Sequence, residues 1–471
     1  MSAGIAEAQV QALFRRVLPV EAGAPRAAFD AFAPLCHCLQ RCGAGPGRAV
    51  LVVLPNGTDF VAAVFALLLL DAVPVLLPSA APPARIRRVA DLLGADLLIA
   101  PDPAPATTLA AAGTPLSPGL QALRLQGVAL RGYQPGEVVL LTSGTSGIFS
   151  GCVFALADLL RNAARHAAAI GQGAGDRVLI NLPMFYSFAF VAQLLCGYAL
   201  GNEMVIAAPP FTPVHYRRLL QVQAITQSSL TPLMVQALAE ADLDTLPPPL
   251  RRLTVGGDAL PAARVTALLH RNPGLELYLT YGLTQAGPRV ATLAAHREPP
   301  ARHASVGRPL EGVEVWLRGQ PGTDEGELMV ATDTAMRRRI RAGEEDSAPP
   351  AHGQGRVIAT GDRFHRDADG YLFFRQRNPS FLVRHGEKVC LRSVCDAVEA
   401  LPGVLRAQAW VQQSPERADT ASFTLDVQCS DPDLGERALR QHLAKVLLRS
   451  EQPDRLELSF AQDGGWQKTR R

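Results

Sequence analysis

Up to about Tyr281, short runs of β-branched and aliphatic residues tend to close on Gly, Pro or Ser. Longer Ala/Leu-rich stretches, apolar at helical spacing, lie between them. The strand-like runs are Val50 to Leu54, Val138 to Thr142, Val178 to Leu182, Met204 to Ala207, Leu253 to Val255 and Leu275 to Tyr281. The helical ones include Phe60 to Leu70, Leu156 to Ile170 and Pro261 to His270. Such alternation predicts an α/β fold of parallel or mixed sheets covered on both faces, with ligands at the loops that follow the strands.

The most apolar stretch, Val61 to Leu77, contains Asp71 and Pro74 and follows Asn56-Gly57. A buried helix running into a strand fits this better than a membrane span, which needs about 20 predominantly apolar residues. No basic segment leads into an apolar one at Met1 to Glu7, so no secretory signal is expected and the cytoplasm is the expected compartment. Pro101 to Pro118, rich in Ala and Pro, reads as a loop. After about residue 318 the pattern changes. Glu311 to Val330 and Gly355 to Phe374 read as short strands with turns at Pro321-Gly322 and Asp369-Gly370, and a compact tail runs from Asn378 to Arg471. A boundary near residue 377 divides the chain into 1–376 and 377–471.

Length supports that division, since 471 residues suffice for two or more domains of about 100–200 residues. With 48% hydrophobic and 19% charged residues the composition is that of an ordinary globular protein. A formal net charge of +3 gives no basic surplus of the kind nucleic-acid binding needs. The run Arg337-Arg338-Arg339-Ile340-Arg341 is the local exception and is expected as a solvated loop. Cys36-His37-Cys38 with Cys42 has no second Cys/His pair at ligand spacing, so the eight cysteines are expected as reduced thiols.

Thr142-Ser143-Gly144-Thr145-Ser146-Gly147 directly follows the strand Val138 to Leu141. Glycines let backbone N–H groups converge and hydroxyls add donors, so such a loop can cradle a polyphosphate. It is not a Walker A loop, because no Gly-Lys-Ser/Thr closes it.

This loop resembles the phosphate loop of the adenylate-forming superfamily: acyl-CoA synthetases, aryl-acid ligases, luciferases and peptide-synthetase adenylation domains. Further segments follow in that family's order. Leu182-Pro183-Met184-Phe185-Tyr186-Ser187-Phe188 is similar to its acyl-pocket segment. Gly256-Gly257-Asp258-Ala259-Leu260 and Tyr281-Gly282-Leu283-Thr284-Gln285 resemble its nucleotide-site loops, with Ser305-Val306-Gly307-Arg308-Pro309 after them. Thr360-Gly361-Asp362, Asp369-Gly370-Tyr371 and Arg377 match its ribose-binding segment and domain junction. Singly, Asp362 reads as a turn former and Tyr281 as core; the ordered set gives them other roles.

The resemblance implies a large N-terminal domain of sheets flanked by helices and a small, mobile C-terminal α/β domain over the nucleotide cleft. It implies ATP as co-substrate, with Asp362 and Arg377 at the ribose, Tyr281 at the adenine and the peptides of Gly257 and Asp258 along its edge. Thr284 would reach the α-phosphate. Tyr186, Phe188, Gly256 and Gly282 would line the acyl pocket, and Lys468, in Gly464-Gly465-Trp466-Gln467-Lys468, would bridge carboxylate and α-phosphate. The implied reaction is activation of a carboxylic acid to an acyl- or aryl-AMP. The acyl group then passes to a pantetheine thiol of coenzyme A or an acyl carrier protein.

Five departures qualify it. Ser150 stands where the family has a lysine, Phe149 where it has a proline, and Gln285 where an acidic residue helps hold Mg²⁺. Val383 or Arg384 replaces the junction lysine ahead of Gly386, and Pro379 stiffens the hinge. A catalytically silent relative acting as a binding partner is therefore the alternative. Amino-acid-activating members carry an Asp where Tyr186 stands, so an aryl or short to medium acyl carboxylate is expected.

Overall fold

The computed structural model describes residues 5–18, 20, 32–103, 109, 113–142, 150–208, 210–319, 324–343, 345–377, 381–384, 387–399, 401–412, 422–431 and 434–460. Two eight-stranded sheets dominate it. The first runs in the order Val17–Leu18, Glu203–Ile206, Arg177–Ile180, Gln227–Leu230, Arg252–Gly256, Glu276–Gly282, Arg289–Ala294 and Arg308–Pro309. It is parallel as far as Glu276–Gly282 and antiparallel beyond. The second runs Arg338–Arg341, Ser150–Ala155, Glu137–Thr142, Val73–Leu76, Ala49–Val52, Leu97–Pro101, Leu120–Arg124 and Gly113–Ser117.

One apolar cluster joins the facing sides of both sheets. It takes Val50, Val138 and Phe154 from one, Val178, Ile180 and Met204 from the other, and side chains of the helices Thr58–Leu69 and Leu156–Ile170 between them. The first of these helices is apolar on all sides, as a helix enclosed between two layers must be. Outer helices close the remaining faces: Pro83–Leu93 on the second sheet, and Pro213–Val222, Pro232–Glu240 and Ala262–Arg271 on the first. Among the described residues no helix is long and apolar enough to cross a membrane. The Cys36, Cys38 and Cys42 side chains pack half-buried against the central cluster.

Two segments expected as loops pair as edge strands. Gly113–Ser117, within the Pro101 to Pro118 stretch, lies antiparallel to Leu120–Arg124. The arginine run forms Arg338–Arg341, antiparallel to Ser150–Ala155. Its single aliphatic residue, Ile340, is fully buried, while Asp158, Glu137 and Asp346 pair with Arg337 and Arg338. A charged edge strand of this kind resists pairing with other chains.

Val313–Arg318, Glu325–Thr332, Ala351–His352, Gly355–Arg366 and Leu372–Arg377 form a separate antiparallel sheet. Beyond it, the hairpin Phe381–Arg384/Glu387–Cys390 leads to a smaller α/β part. There the helices Leu391–Glu399 and Glu436–Val446 cover the sheet Val404–Gln412, Ser422–Cys429 and Arg455–Phe460 around a core of their own. Arg85 of helix Pro83–Leu93 meets Glu451 of this smaller part in a buried ion pair, Nη1 to Oε2 2.7 Å.

Candidate active site

The parallel strands Arg252–Gly256 and Glu276–Gly282 deliver the site at their carboxyl ends, where an α/β sheet opens to ligands. Gly256 lies in register with Thr280. A Cβ on Gly256 would stand 2.4 Å from Thr280 Oγ1 and 3.1 Å from Phe188 Cε1, so only a glycine lets these elements close together. Gly257 then takes a φ of +95°, a conformation in which glycine is unstrained, and turns the chain out of the sheet. Asp258 caps the turn by accepting from Ala259 N at 2.8 Å.

Tyr281 and Asp362 meet beside these strand ends. Tyr281 Oη donates to Asp362 Oδ2 at 2.8 Å, and the tyrosine ring packs edge-on to Phe364, 4.8 Å between centroids. Asp362 is only 2% exposed. Its turn is fixed by Thr360, whose hydroxyl donates to Leu328 O and accepts from Asp362 N, and by Glu327, which accepts from Gly361 N. Arg377 stands opposite Asp362 in the ladder between Gly355–Arg366 and Leu372–Arg377. The hydroxyl of Tyr281 thus serves to orient a carboxylate, a use of this residue beyond the aromatic face that the sequence offers.

Thr284 opens a short turn, Thr284–Ala286, whose Gln285 carbonyl accepts from Met336 N at 2.8 Å. The Thr284 and Ser187 hydroxyls lie 3.0 Å apart. Ser187 begins the helical segment that carries Phe188, and Tyr186 precedes it with its ring 4.2 Å from that of Phe185. The segment 186–188 is thereby joined to the turn that follows Tyr281 and Gly282. Ser187 was read only as part of the acyl-pocket segment, and missed in the sequence were Thr280 and Arg289. Of these Arg289 gives a signal, as the single charged residue of the strand Arg289–Ala294.

Thr142 ends its strand at the root of the phosphate-loop candidate, and its hydroxyl lies 2.8 Å from that of Ser150. Ser150 is fully buried and accepts from Arg339 Nε at 2.9 Å. The strand Arg338–Arg341 therefore brings a guanidinium to the residue that replaces the family's lysine. Ser143, Gly144, Thr145, Ser146 and Gly147 lie outside the described residues, as does Lys468.

For a divalent cation the donor set is thin. Gln285 offers a neutral amide oxygen, and among the described residues no three His, Cys, Asp or Glu side chains gather as a metal site. Mg²⁺ commonly relies on one or two carboxylates together with substrate phosphates. Such an ion would here depend mainly on the phosphates, with Gln285 a weak ligand. Gln285→Glu is expected to lower the Mg²⁺ concentration that half-saturates activity; an unchanged metal titration would assign the ion to another group.

A family model described as AMP-binding enzyme matches residues 28–338, well over half of the chain. The chain belongs to the AMP-binding enzymes. This is the adenylate-forming ligase family, and the AMP-binding enzyme resembles its members along most of its length. Pyochelin synthase PchD of Pseudomonas aeruginosa is 28% identical over 476 aligned residues, covering 90% of this chain and 82% of that protein. A 2-succinylbenzoate–CoA ligase of Lactococcus lactis is 24% identical over 57% of this chain and 55% of its own length. With several other curated relatives the match likewise spans about half of their length. Among solved structures, a double mutant of o-succinylbenzoate CoA synthetase (MenE) from Bacillus subtilis, bound with its product analogue OSB-NCoA, has a TM-score of 0.75. That match covers 92% of this chain and 89% of that one at 20% identity, and shows a shared fold.

Proposed function

We propose that this AMP-binding enzyme activates a carboxylic acid with ATP and passes the acyl group to a pantetheine thiol, of coenzyme A or of an acyl carrier protein, in the cytoplasm. The observation that carries the reading is the convergence of Asp362, Tyr281, Thr284 and Ser187 at the carboxyl ends of the parallel strands. In the first half-reaction a carboxylate oxygen of the acid attacks the α-phosphorus, and pyrophosphate leaves with the electron pair of the broken P–O bond. In the second, the thiol sulfur attacks the acyl carbon, loses its proton, and AMP leaves.

Each residue has a task in this scheme. Asp362, held by Tyr281, accepts from the ribose hydroxyls, with Arg377 beside it in the ladder. Tyr281, Gly257 and Asp258 frame the adenine. Thr142 and the loop Ser143 to Gly147 take the β- and γ-phosphates, and Arg339 supplies, at Ser150, positive charge that the missing lysine removes. Thr284, steadied by Ser187, donates to the α-phosphate. Tyr186, Phe188, Gly256 and Gly282 border the acyl group, and Lys468 bridges carboxylate and α-phosphate. Residues 377–471 form the small domain that turns between the half-reactions, a usual way to assemble a site twice.

The presence of a 2-succinylbenzoate–CoA ligase among the relatives supports an aryl or short to medium acyl substrate. Asp362→Ala is expected to weaken ATP binding by about 1.5–3 kcal/mol, the worth of a hydrogen bond to a charged group. Calorimetry with ATP checks this, and an unchanged affinity would remove Asp362 from the ribose. Thioester formation from purified acyl-AMP, offered coenzyme A and a phosphopantetheinyl carrier protein side by side, identifies the acceptor.

A further inference from the structure

A cation with no ion-pair partner among the described residues lies buried beside Phe188 and Thr280. Arg289 opens the strand Arg289–Ala294 and is 2% exposed. Its Nη1 donates to Thr280 Oγ1 at 2.7 Å, and its guanidinium carbon stands 3.7 Å from the centroid of the Phe188 ring. Asn162 fixes its backbone from both sides: Arg289 N donates to Asn162 Oδ1 and Asn162 Nδ2 donates to Arg289 O, each at 3.0 Å. Among the described residues the remaining guanidinium nitrogens, Nε and Nη2, have no hydrogen-bond partner.

The described residues around it offer no balancing carboxylate. Among the described residues Arg289 takes part in no ion pair. The groups that act on it electrostatically include His166 and Cys196, whose thiol burial pushes up to about 12. Burial, and then the Arg289 cation, hold His166 well below its ordinary value, so the imidazole is neutral, and among the described residues both of its ring nitrogens also lack partners. Burial pushes Arg289 down to about 9, which still leaves it a cation at neutral pH. An apolar side chain would fill this place without stranding a charge, and a buried unpaired charge is strongly unfavourable. Nε and Nη2 lie along one edge of a planar fork, where two parallel N–H donors match the two oxygens of a carboxylate.

We propose that the acid this enzyme activates carries a second carboxylate, and that the Nε/Nη2 edge of Arg289 binds it while the first carboxylate reacts with ATP. The assignment rests on the reading of Phe188 and Gly256 as the acyl pocket. Thr280 fixes the fork through Nη1, Phe188 supports its face, and Asn162 sets the depth of the strand that presents it. Arg289 is thus a specificity-determining residue.

The test is acid-dependent ATP–pyrophosphate exchange with matched probes: aliphatic and aryl dicarboxylic acids, each beside its monoamide and the monocarboxylic acid of equal length. The wild-type enzyme is expected to favour one of the dicarboxylic acids over its matched neutral partners by about 10- to 100-fold in kcat/KM. Arg289→Met is expected to bring that ratio close to one, and Arg289→Lys to leave an intermediate ratio, because a point charge cannot make the paired contact. If Arg289→Met does not fold, the wild-type ratio alone decides. A wild-type enzyme that exchanges with monocarboxylic acids and shows no preference for a second carboxylate overturns the role of Arg289 and leaves acid activation standing. Exchange with no acid at all overturns acid activation itself.

Discussion

Lys468→Ala is expected to slow acid-dependent ATP–pyrophosphate exchange by about 10²–10³-fold, the usual loss when one electrostatic donor to a transition state is removed. During adenylation, negative charge is spread over the attacking carboxylate, the α-phosphate and the departing pyrophosphate. A compact cation on a flexible stem can follow that charge as it moves. In the proposed scheme, thiol attack on finished acyl-AMP uses a different arrangement, reached once the small domain has turned. The same variant should therefore transfer the acyl group from supplied acyl-AMP within a small factor of the parent rate. Circular dichroism should show an intact fold. If both half-reactions fall together in a folded variant, or if neither falls, Lys468 is not the adenylation lysine.

The second large effect concerns stability. Arg85 and Glu451 pair at 2.7 Å with side chains 8% and 4% exposed, joining helix Pro83–Leu93 to the smaller C-terminal part. Glu451 Oε2 also accepts from Leu448 N at 2.8 Å, so the carboxylate cannot swing out to water without breaking its own turn. Removing one partner of such a pair leaves a stranded buried charge and costs about 3–5 kcal/mol. Arg85→Ala should lower the unfolding free energy by that amount. Replacing both ions at once, as in Arg85→Met with Glu451→Leu, should recover most of the loss, because an apolar pair of similar volume is often as stable as the ion pair. Chemical denaturation of the three proteins measures both. A single variant within about 0.5 kcal/mol of the parent would show that the pair is not formed in solution.

Much of this fold is legible in the chain because its strands are short and aliphatic and its helices carry a clear 3.6-residue period. The expected helix Leu156 to Ile170 is found with the same bounds, and the expected strand Val138 to Thr142 starts one residue earlier, at Glu137. The helices Pro213–Val222 and Pro232–Glu240 were open to the same reading through Thr212-Pro213 and Thr231-Pro232. In each, a threonine accepts from the third amide and a proline fills the first helical position. The arginine run was not legible as a strand. Its charges are matched by Asp158 and Glu137, which are remote in sequence, together with the nearby Asp346.

For the site, the motifs place Asp362, Tyr281 and Thr284 at one cleft, yet they do not reveal how these residues are held. The hydrogen bond from Tyr281 to Asp362 crosses between two sheets. The replacement of a lysine by Ser150 reads as a simple loss until Arg339 is seen to reach the serine from a neighbouring strand. Arg289 is the most telling case. A charged residue at a strand end normally faces water, and only the packing of Phe188, Thr280 and Asn162 around it shows that this one does not.

The central claim, that the chain forms an acyl-adenylate, is tested most directly by exchange of labelled pyrophosphate into ATP in the presence of carboxylic acids. Label should enter ATP only when a suitable acid is added, and the signal should fall in Asp362→Ala and Lys468→Ala. Binding of ATP without exchange for any acid in a broad aryl and acyl panel would contradict the claim, and would identify the protein as a silent relative that binds nucleotide without using it.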